Sequence, residues 1–230
     1  AQTVTDARRA LIYGHLAWIT ALRWQLRGKT QWGYVPKGYS AKFVQPTDLE
    51  SLKKQLHEFL SAREIPALCS TRNMATQILR EQGEHLRRIV EEEPRLIEEF
   101  RLIAMMDLIT EMYTLQGKCE RIKNTPFPRQ YAFFSTVFVW IFNILLPFGI
   151  LGELANRGEM IWLTVPLTAI ISWIFLTMEG VGDSSEDPFE NFVNDVPMTA
   201  LCRTIEIDLR EMLGESDLPE PMQPVNDILM

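Results

Sequence analysis

YAFFSTVFVWIFNILLPFGIL, residues 131–151, is a run of 21 residues without a charge. At about 1.5 Å of rise per residue, a helix of that length crosses the ~30 Å hydrocarbon core of a bilayer. A short polar connector, 152–159, leads into a second uncharged run of 19 residues, MIWLTVPLTAIISWIFLTM at 160–178. Two such runs in succession read as a transmembrane helical hairpin. Pro147, Pro166 and Asn143 would also suit a pair of helices buried in a large soluble core. The tryptophans Trp140, Trp162 and Trp173, set in charge-free sequence, favour the bilayer.

The flanks give the orientation. Lys118, Arg121, Lys123 and Arg129 precede the first run, whereas the connector holds Arg157 beside Glu153 and Glu159. Basic residues near a span stay cytoplasmic, so both long ends are expected on the cytoplasmic side. Neither run is a signal peptide, because both lie deep in the chain.

Outside the hairpin the pattern is helical. The 230 residues are 47% hydrophobic, enough for a sizeable core, and the formal net charge of -7 excludes the basic footprint of a general nucleic-acid binder. Residues 6–27 form a helix with Leu11, Ile12, His15, Trp18, Ile19 and Leu22 on one face. Thr47-Asp48-Leu49-Glu50 has capping-box spacing, and Leu49, Leu52, Leu56, Phe59 and Leu60 stripe the next helix. A third helix runs from Pro66 to about Glu92. A long one follows over 94–122 with Leu96, Ile97, Phe100, Ile103, Ala104, Leu108 and Met112 as its apolar side. The last helix begins near Asp195-Val196-Pro197 and stops at Gly214, carrying Leu201, Ile205 and Leu209 at i, i+4 and i+8. Only residues 42–45 give a weak strand signal. The chain therefore reads as an all-α membrane protein: a helical cytosolic region 1–130, the hairpin 131–178, and an acidic cytosolic segment 179–230 made of a helix and an extended tail.

Charge is unevenly divided. Residues 179–230 hold 13 acidic and 2 basic side chains, a balance of -11, and residues 1–178 balance to +4. The two parts should attract, within a subunit or between subunits.

Enzyme chemistry is not expected. There is no H-E-x-x-H, G-x-S-x-G or G-x-x-x-x-G-K-[ST], and Gly180-Val181-Gly182 follows a membrane helix where a dinucleotide fingerprint needs a strand. His15, His57 and His85 are scattered, and Cys69, Cys119 and Cys202 form no C-x-x-C, which reads as reduced thiols. Less ordinary is the stretch behind the second run, where Asp183, Glu186, Asp187 and Glu190, followed by Asp195, repel one another unless basic groups or a cation compensate.

Here the sequence resembles the bestrophin family of ion channels, in its bacterial branch. The likeness rests on Asp187-Pro188-Phe189 after a membrane helix and on Cys202-Arg203-Thr204-Ile205-Glu206-Ile207 beyond it. Thr125-Pro126-Phe127-Pro128 ahead of the first span, Leu108-Ile109-Thr110-Glu111-Met112, and the helix containing Arg8 and Arg27 extend it over nearly the whole chain. The resemblance implies a subunit with four membrane helices and a helical cytosolic domain, five copies surrounding one axial pore in the bacterial inner membrane. It places the two spans of this chain as the family's third and fourth, so that the neck-lining helices are expected before Ala1. It makes 94–122 a pore-side helix and Ile103 the side chain of the cytosolic aperture, with Asp107 near the inner cavity and cations favoured over chloride. Animal members clasp calcium at the acidic segment. Here Glu190 replaces their glycine and Phe192-Val193-Asn194 interrupt the acidic run, which argues against calcium activation, since Ca²⁺ takes about six to eight oxygens. No metal ligand set and no cofactor are assigned. The expected partners are copies of the chain, the lipid bilayer and small permeant ions. The competing reading is a two-span membrane anchor or interaction scaffold without a pore.

Overall fold

The computed structural model describes residues 2–28, 48–93, 96–125, 129–184, 188–191, 195–224 and 229. Among these residues every regular element is helical. In chain order they are α1 (Gln2–Arg27), α2 (Leu49–Leu56), α3 (Glu64–Cys69), α4 (Met74–Glu92), α5 (Glu99–Asn124), α6 (Arg129–Leu154), a 3₁₀ helix (Ala155–Leu163), α7 (Thr164–Ser184) and α8 (Met198–Met212). The chain divides into a unit of Ala1–Asn124 with Pro188–Met230, and a second unit of Thr125–Asp187. The weak strand signal at 42–45 falls outside the described residues.

In the first unit α1 is the central element, packed by α2, α4, α5 and α8. The sequence pattern gives it one apolar face, yet from Leu16 to Leu22 every residue is buried. Ala17 and Ala21, at i and i+4, are small enough for neighbours to approach on more than one side. Gly14 serves the same purpose against α4: a Cβ there would lie 2.7 Å from Gln82 Nε2, whose amide donates to the Leu11 carbonyl at 3.3 Å. The α4 side of this contact is Ala75, Ile78 and Leu79, all buried.

The single helix expected from Pro66 to Glu92 is two. Ser70 and Thr71 turn their hydroxyls back onto the carbonyls of Ala67 and Leu68, each at 2.7 Å, and Asn73 caps α4 by accepting from the Thr76 N–H at 2.9 Å. For α2 the cap is Asp48, which accepts from the Ser51 N–H, and Thr47 lies outside the described residues. The expected buried stripe of α8 is also displaced. Leu201 and Ile205 are exposed, whereas Ala200, Cys202 and Glu206 are buried. A carboxylate can take an inward position because Arg203 at 3.1 Å and Arg210 at 3.3 Å both pair with Glu206. The helix stops as read from sequence: Gly214 follows it at φ 76°, a left-handed conformation that costs glycine nothing.

Beyond α8 the tail is held within its own chain. Glu215 accepts from Arg9 Nη2 at 3.0 Å, Tyr13 Oη at 2.7 Å and Arg210 Nε at 2.8 Å, and Arg8 donates to the Met212 carbonyl at 2.8 Å. The acidic and basic parts of the sequence thus meet inside one subunit at this point. These donors hold the Glu215 carboxyl below its ordinary range, the Tyr13 hydroxyl first among them.

The second unit is the hairpin. Phe142 and Phe175 meet at 4.6 Å between ring centroids, and Ser135 and Thr136 at the start of α6 donate to Glu179 near the end of α7, at 2.9 and 2.7 Å. The helices are therefore antiparallel. Both are long and apolar enough to span a bilayer, and the span windows bury almost none of their residues inside the protein. Phe138, Phe148, Trp162 and Trp173 all point outward, as lipid-facing side chains do. Where the sequence suggested a polar loop at 152–159, the chain stays wound, through the end of α6 and then as the 3₁₀ helix. Pro147 sits inside α6 and withdraws the N–H that the Asn143 carbonyl would accept.

Candidate functional site

The site read from sequence lies on α5, and the geometry starts with what anchors that helix. Ile109, Gln116 and Lys123, each a heptad apart, are its buried residues. Gln116 uses its whole amide: Oε1 accepts the Trp18 indole N–H at 2.9 Å, and Nε2 donates to Asn73 Oδ1 at 3.2 Å, Thr76 Oγ1 at 2.8 Å and Glu120 Oε1 at 2.8 Å. Tyr113 adds a bond to the Thr76 carbonyl at 3.1 Å. These bonds fix the rotation of α5 against α1 and α4. Sequence reading missed Gln116; the available signal was a polar residue in register with Ile109, seven positions on.

The expected apolar side of α5 is not its core side. Phe100 is 80% exposed, Ile103 57% and Leu108 54%. At about 100° per residue, with Ile103 as origin, the buried residues cluster near -100° to -160°. The exposed half then carries two flanks that overlap between about 60° and 80°, where Phe100 lies level with Lys118 and close to Glu111. Phe100, Ala104, Leu108, Leu115 and Ile122 lie between about 60° and 140°, an apolar flank. Asp107, Thr110, Glu111, Thr114, Lys118 and Arg121 lie between about -20° and 80°, a polar flank. Ile103 is the large apolar side chain in the middle of the polar flank. Asp107 and Glu111 follow it one and two turns on, and neither forms a salt bridge among the described residues.

Behind α5 a cavity of about 300 Å³ is lined by apolar side chains from α1, α4, α5 and α8, with His15 and Gln82 as its polar members. The His15 ring stacks obliquely on Trp18 at 5.2 Å, and burial pushes its pKa below 6.5. The folded protein therefore holds His15 neutral more firmly than the unfolded chain does. Stability from this source is complete above pH 6.5 and falls as the pH drops through the unfolded value towards the folded one. Urea midpoints measured between pH 8 and pH 5 should decline more steeply in the native protein than in His15→Phe; parallel profiles would remove His15 from the pH response.

The acidic segment is divided in the structure. Asp183 lies in the last turn of α7, Glu186 and Asp187 lie outside the described residues, and Glu190 and Asp195 lie in sequence between Pro188 and Val196, whose N–H donates to the Pro188 carbonyl at 2.9 Å. Phe189 is buried in the core of the first unit, and Asn191 takes φ 71°. Phe189 of the Asp-Pro-Phe motif is thus a packing anchor. Among the described residues no group of three or more His, Cys, Asp or Glu is placed to hold a metal ion.

An α1-centred helical unit, an apolar antiparallel hairpin and a long helix with a divided outer face can now be set against known proteins. The sequence profile described as Bacterial/Fungal Bestrophin protein matches residues 1–211. The chain belongs to the bacterial and fungal bestrophin family. It is similar to the voltage-dependent anion channel-forming protein YneE of Escherichia coli, 28% identical over 179 residues, which cover 76% of this chain and 56% of that protein. The chain thus spans little more than half the length of that relative. A second relative, the voltage-dependent anion channel-forming protein mll4386 of Mesorhizobium japonicum, is 33% identical over 116 residues, 50% of this chain and 35% of the relative. Among solved structures, a bacterial bestrophin homologue from Klebsiella pneumoniae superposes with a TM-score of 0.74 at 25% identity, covering 92% of this chain and 68% of the other. Family and fold agree with the resemblance drawn from the motifs, and this bestrophin-family chain is a helical membrane protein.

Proposed function

We propose that this chain belongs to a subunit of a passive ion channel for small monovalent ions, set in a bacterial inner membrane with both chain ends on the cytoplasmic side. Copies of the subunit, five in number, surround an axial pathway, and Ile103 forms its cytosolic aperture. The observation that carries the reading is the divided outer face of α5. An apolar flank left uncovered on a single subunit suits packing against a neighbour, and a polar flank beside it suits a water-filled axis. Ile103 belongs to the second of these, where an isolated apolar side chain has no packing role and a ring of five sets a local radius and a dehydration barrier. Relatives named as anion channel-forming proteins support ion conduction.

For the sign of the ion, the cation reading rests on Asp107, whose carboxylate repeated around an axis would concentrate cations. The relatives' names and the cations Lys118 and Arg121 on the same flank favour anions. Reversal potentials of the complete channel under a salt gradient, with and without Asp107→Asn, separate the two. An anion preference in the unmutated channel rejects the cation reading, and an unchanged ratio in the variant removes Asp107 from selection.

The aperture has its own test. In planar bilayers Ile103→Ala should raise conductance or alter selectivity while thermal stability stays within about 0.5 kcal/mol, because an exposed side chain leaves no cavity. A loss of about 2–5 kcal/mol with unchanged permeation would make Ile103 a core residue. Monomers without conductance would favour the anchor reading.

A further inference from the structure

The cavity behind α5 takes no part in the pore reading, and its make-up is that of a binding pocket. It holds about 300 Å³, roughly twice the ~150 Å³ of an apolar cavity that stays dry and takes up benzene. Its walls include Leu86 of α4 and Ile109 of α5, both buried. Leu108 lines it too and is half exposed, which puts an entrance at that side chain. All the helices that supply the lining belong to the first unit.

His15 sets the chemistry. Its ring lies against Trp18 and makes no hydrogen bond among the described residues. Burial keeps it neutral, so it offers one N–H donor and one nitrogen acceptor. Gln82, the other polar member of the lining, spends its Nε2 on the Leu11 carbonyl. A polar ring set in an otherwise apolar enclosure calls for a partner, and the chemistry of the walls sorts the candidates. Water would pair with His15 but would find few other polar partners, the condition under which such cavities stay dry. An aliphatic side chain from a second copy of the chain would cover the walls and strand the imidazole. A charged molecule would lose its hydration with no opposite charge in the lining to replace it. A neutral molecule with an apolar body and one hydroxyl satisfies both the walls and the ring.

We propose that this cavity binds a small neutral amphiphile, an apolar body of roughly ten heavy atoms whose single hydroxyl is hydrogen-bonded to His15. The body lies against Leu86 and Ile109. Met105 and Met112, unbranched side chains in the same lining, adapt to its outline. The proposal does not depend on the pore reading, and its test needs no conductance.

The probes are 4-propylphenol and propylbenzene, which share an apolar body and differ by the hydroxyl. The full chain, carbon-13 labelled at its methionine methyls, is titrated with each in detergent, the free probe concentration being fixed by dialysis. The methyl signals of Met105 and Met112 should shift saturably with both probes. Those of Met160 and Met178, in the membrane unit, report partition into the micelle. In His15→Phe the ratio of the two affinities, phenol over propylbenzene, should fall about three- to tenfold, the worth of one neutral hydrogen bond. Should phenylalanine crowd the cavity, His15→Ala repeats the comparison with more room. Met105 and Met112 shifts that merely follow those of Met160 and Met178 would overturn the site, and a cavity filled by a neighbouring copy would give that result. A ratio unchanged in both variants would overturn the role of His15 and with it the class of ligand.

Discussion

Leu79→Ala lowers the stability of the first unit by about 2–5 kcal/mol, the cost of removing a fully buried leucine and leaving part of its volume empty. Leu79 is 0% exposed in the contact of α4 with α1, beside Ala75 and Ile78. In a protein of this size that loss corresponds to a fall in Tm of roughly 5–15 °C. Circular dichroism of the detergent-solubilised protein at 222 nm measures it. A fall under about 2 °C would mean that the α1–α4 contact does not hold the unit together. Phe100→Ala is the matched comparison, a larger deletion at an exposed site that should change the Tm of an isolated subunit little.

The second large effect is expected at Gln116. Gln116→Leu has nearly the right volume but strips the Trp18 indole N–H of its acceptor and Asn73, Thr76 and Glu120 of their shared donor. Each group left unpaired in the interior costs about 1–3 kcal/mol. Asn73 Oδ1 keeps the Thr76 N–H and Glu120 Oε1 keeps the Asn73 amide, so two of the four groups lose a partner outright and the net loss is roughly 2–4 kcal/mol. Gln116→Glu separates the parts of the network, because it keeps the acceptor for Trp18 and removes the donor. It also sets a second carboxylate against Glu120, so it should be less stable at pH 8 than at pH 5, the reverse of the His15 dependence. Indifference to both replacements would reduce Gln116 to a passive filler.

The contrast between those residues and the sequence patterns explains what could be read in advance. The hairpin was legible because a bilayer imposes one demand, some 20 residues without charge, and two stretches meet it. The helical class was legible for a similar reason, since strand periodicity and its turn chemistry are nearly absent. The face of α5 was not. Its apolar residues lie on both sides, so counting i, i+3 and i+4 matches selected the outward Phe100–Ile103–Leu108 series over the inward one, where Ile109 shares its stripe with Gln116 and Lys123. On α8 the same counting selected Leu201 and Ile205, because a buried Glu206 becomes acceptable only when two arginines meet it. Pattern reading rewards apolar side chains and has no term for a polar one whose partners are distant in sequence. Ile103 was singled out by the family resemblance, and periodicity alone would have left in the core a side chain that is exposed.

The first unit has an interrupted chain: α1 to α5 come before the membrane hairpin in sequence, and α8 and the Glu215 carboxylate come after it. Arg9 and Tyr13 wait for a partner more than 200 residues later, and Phe189 and Cys202 supply core side chains that the earlier helices cannot. During synthesis from the N-terminus, α1 therefore emerges with its all-round apolar middle and finds α4 and α5 before it finds α8. The last wall of its core arrives only after both membrane helices have left the ribosome. Such sequence-distant closure is slow and exposes apolar surface meanwhile. The order of assembly is thereby fixed, insertion first and completion of the water-soluble core second, so a chain whose hairpin fails to enter the bilayer leaves α1 open along the side that α8 would cover.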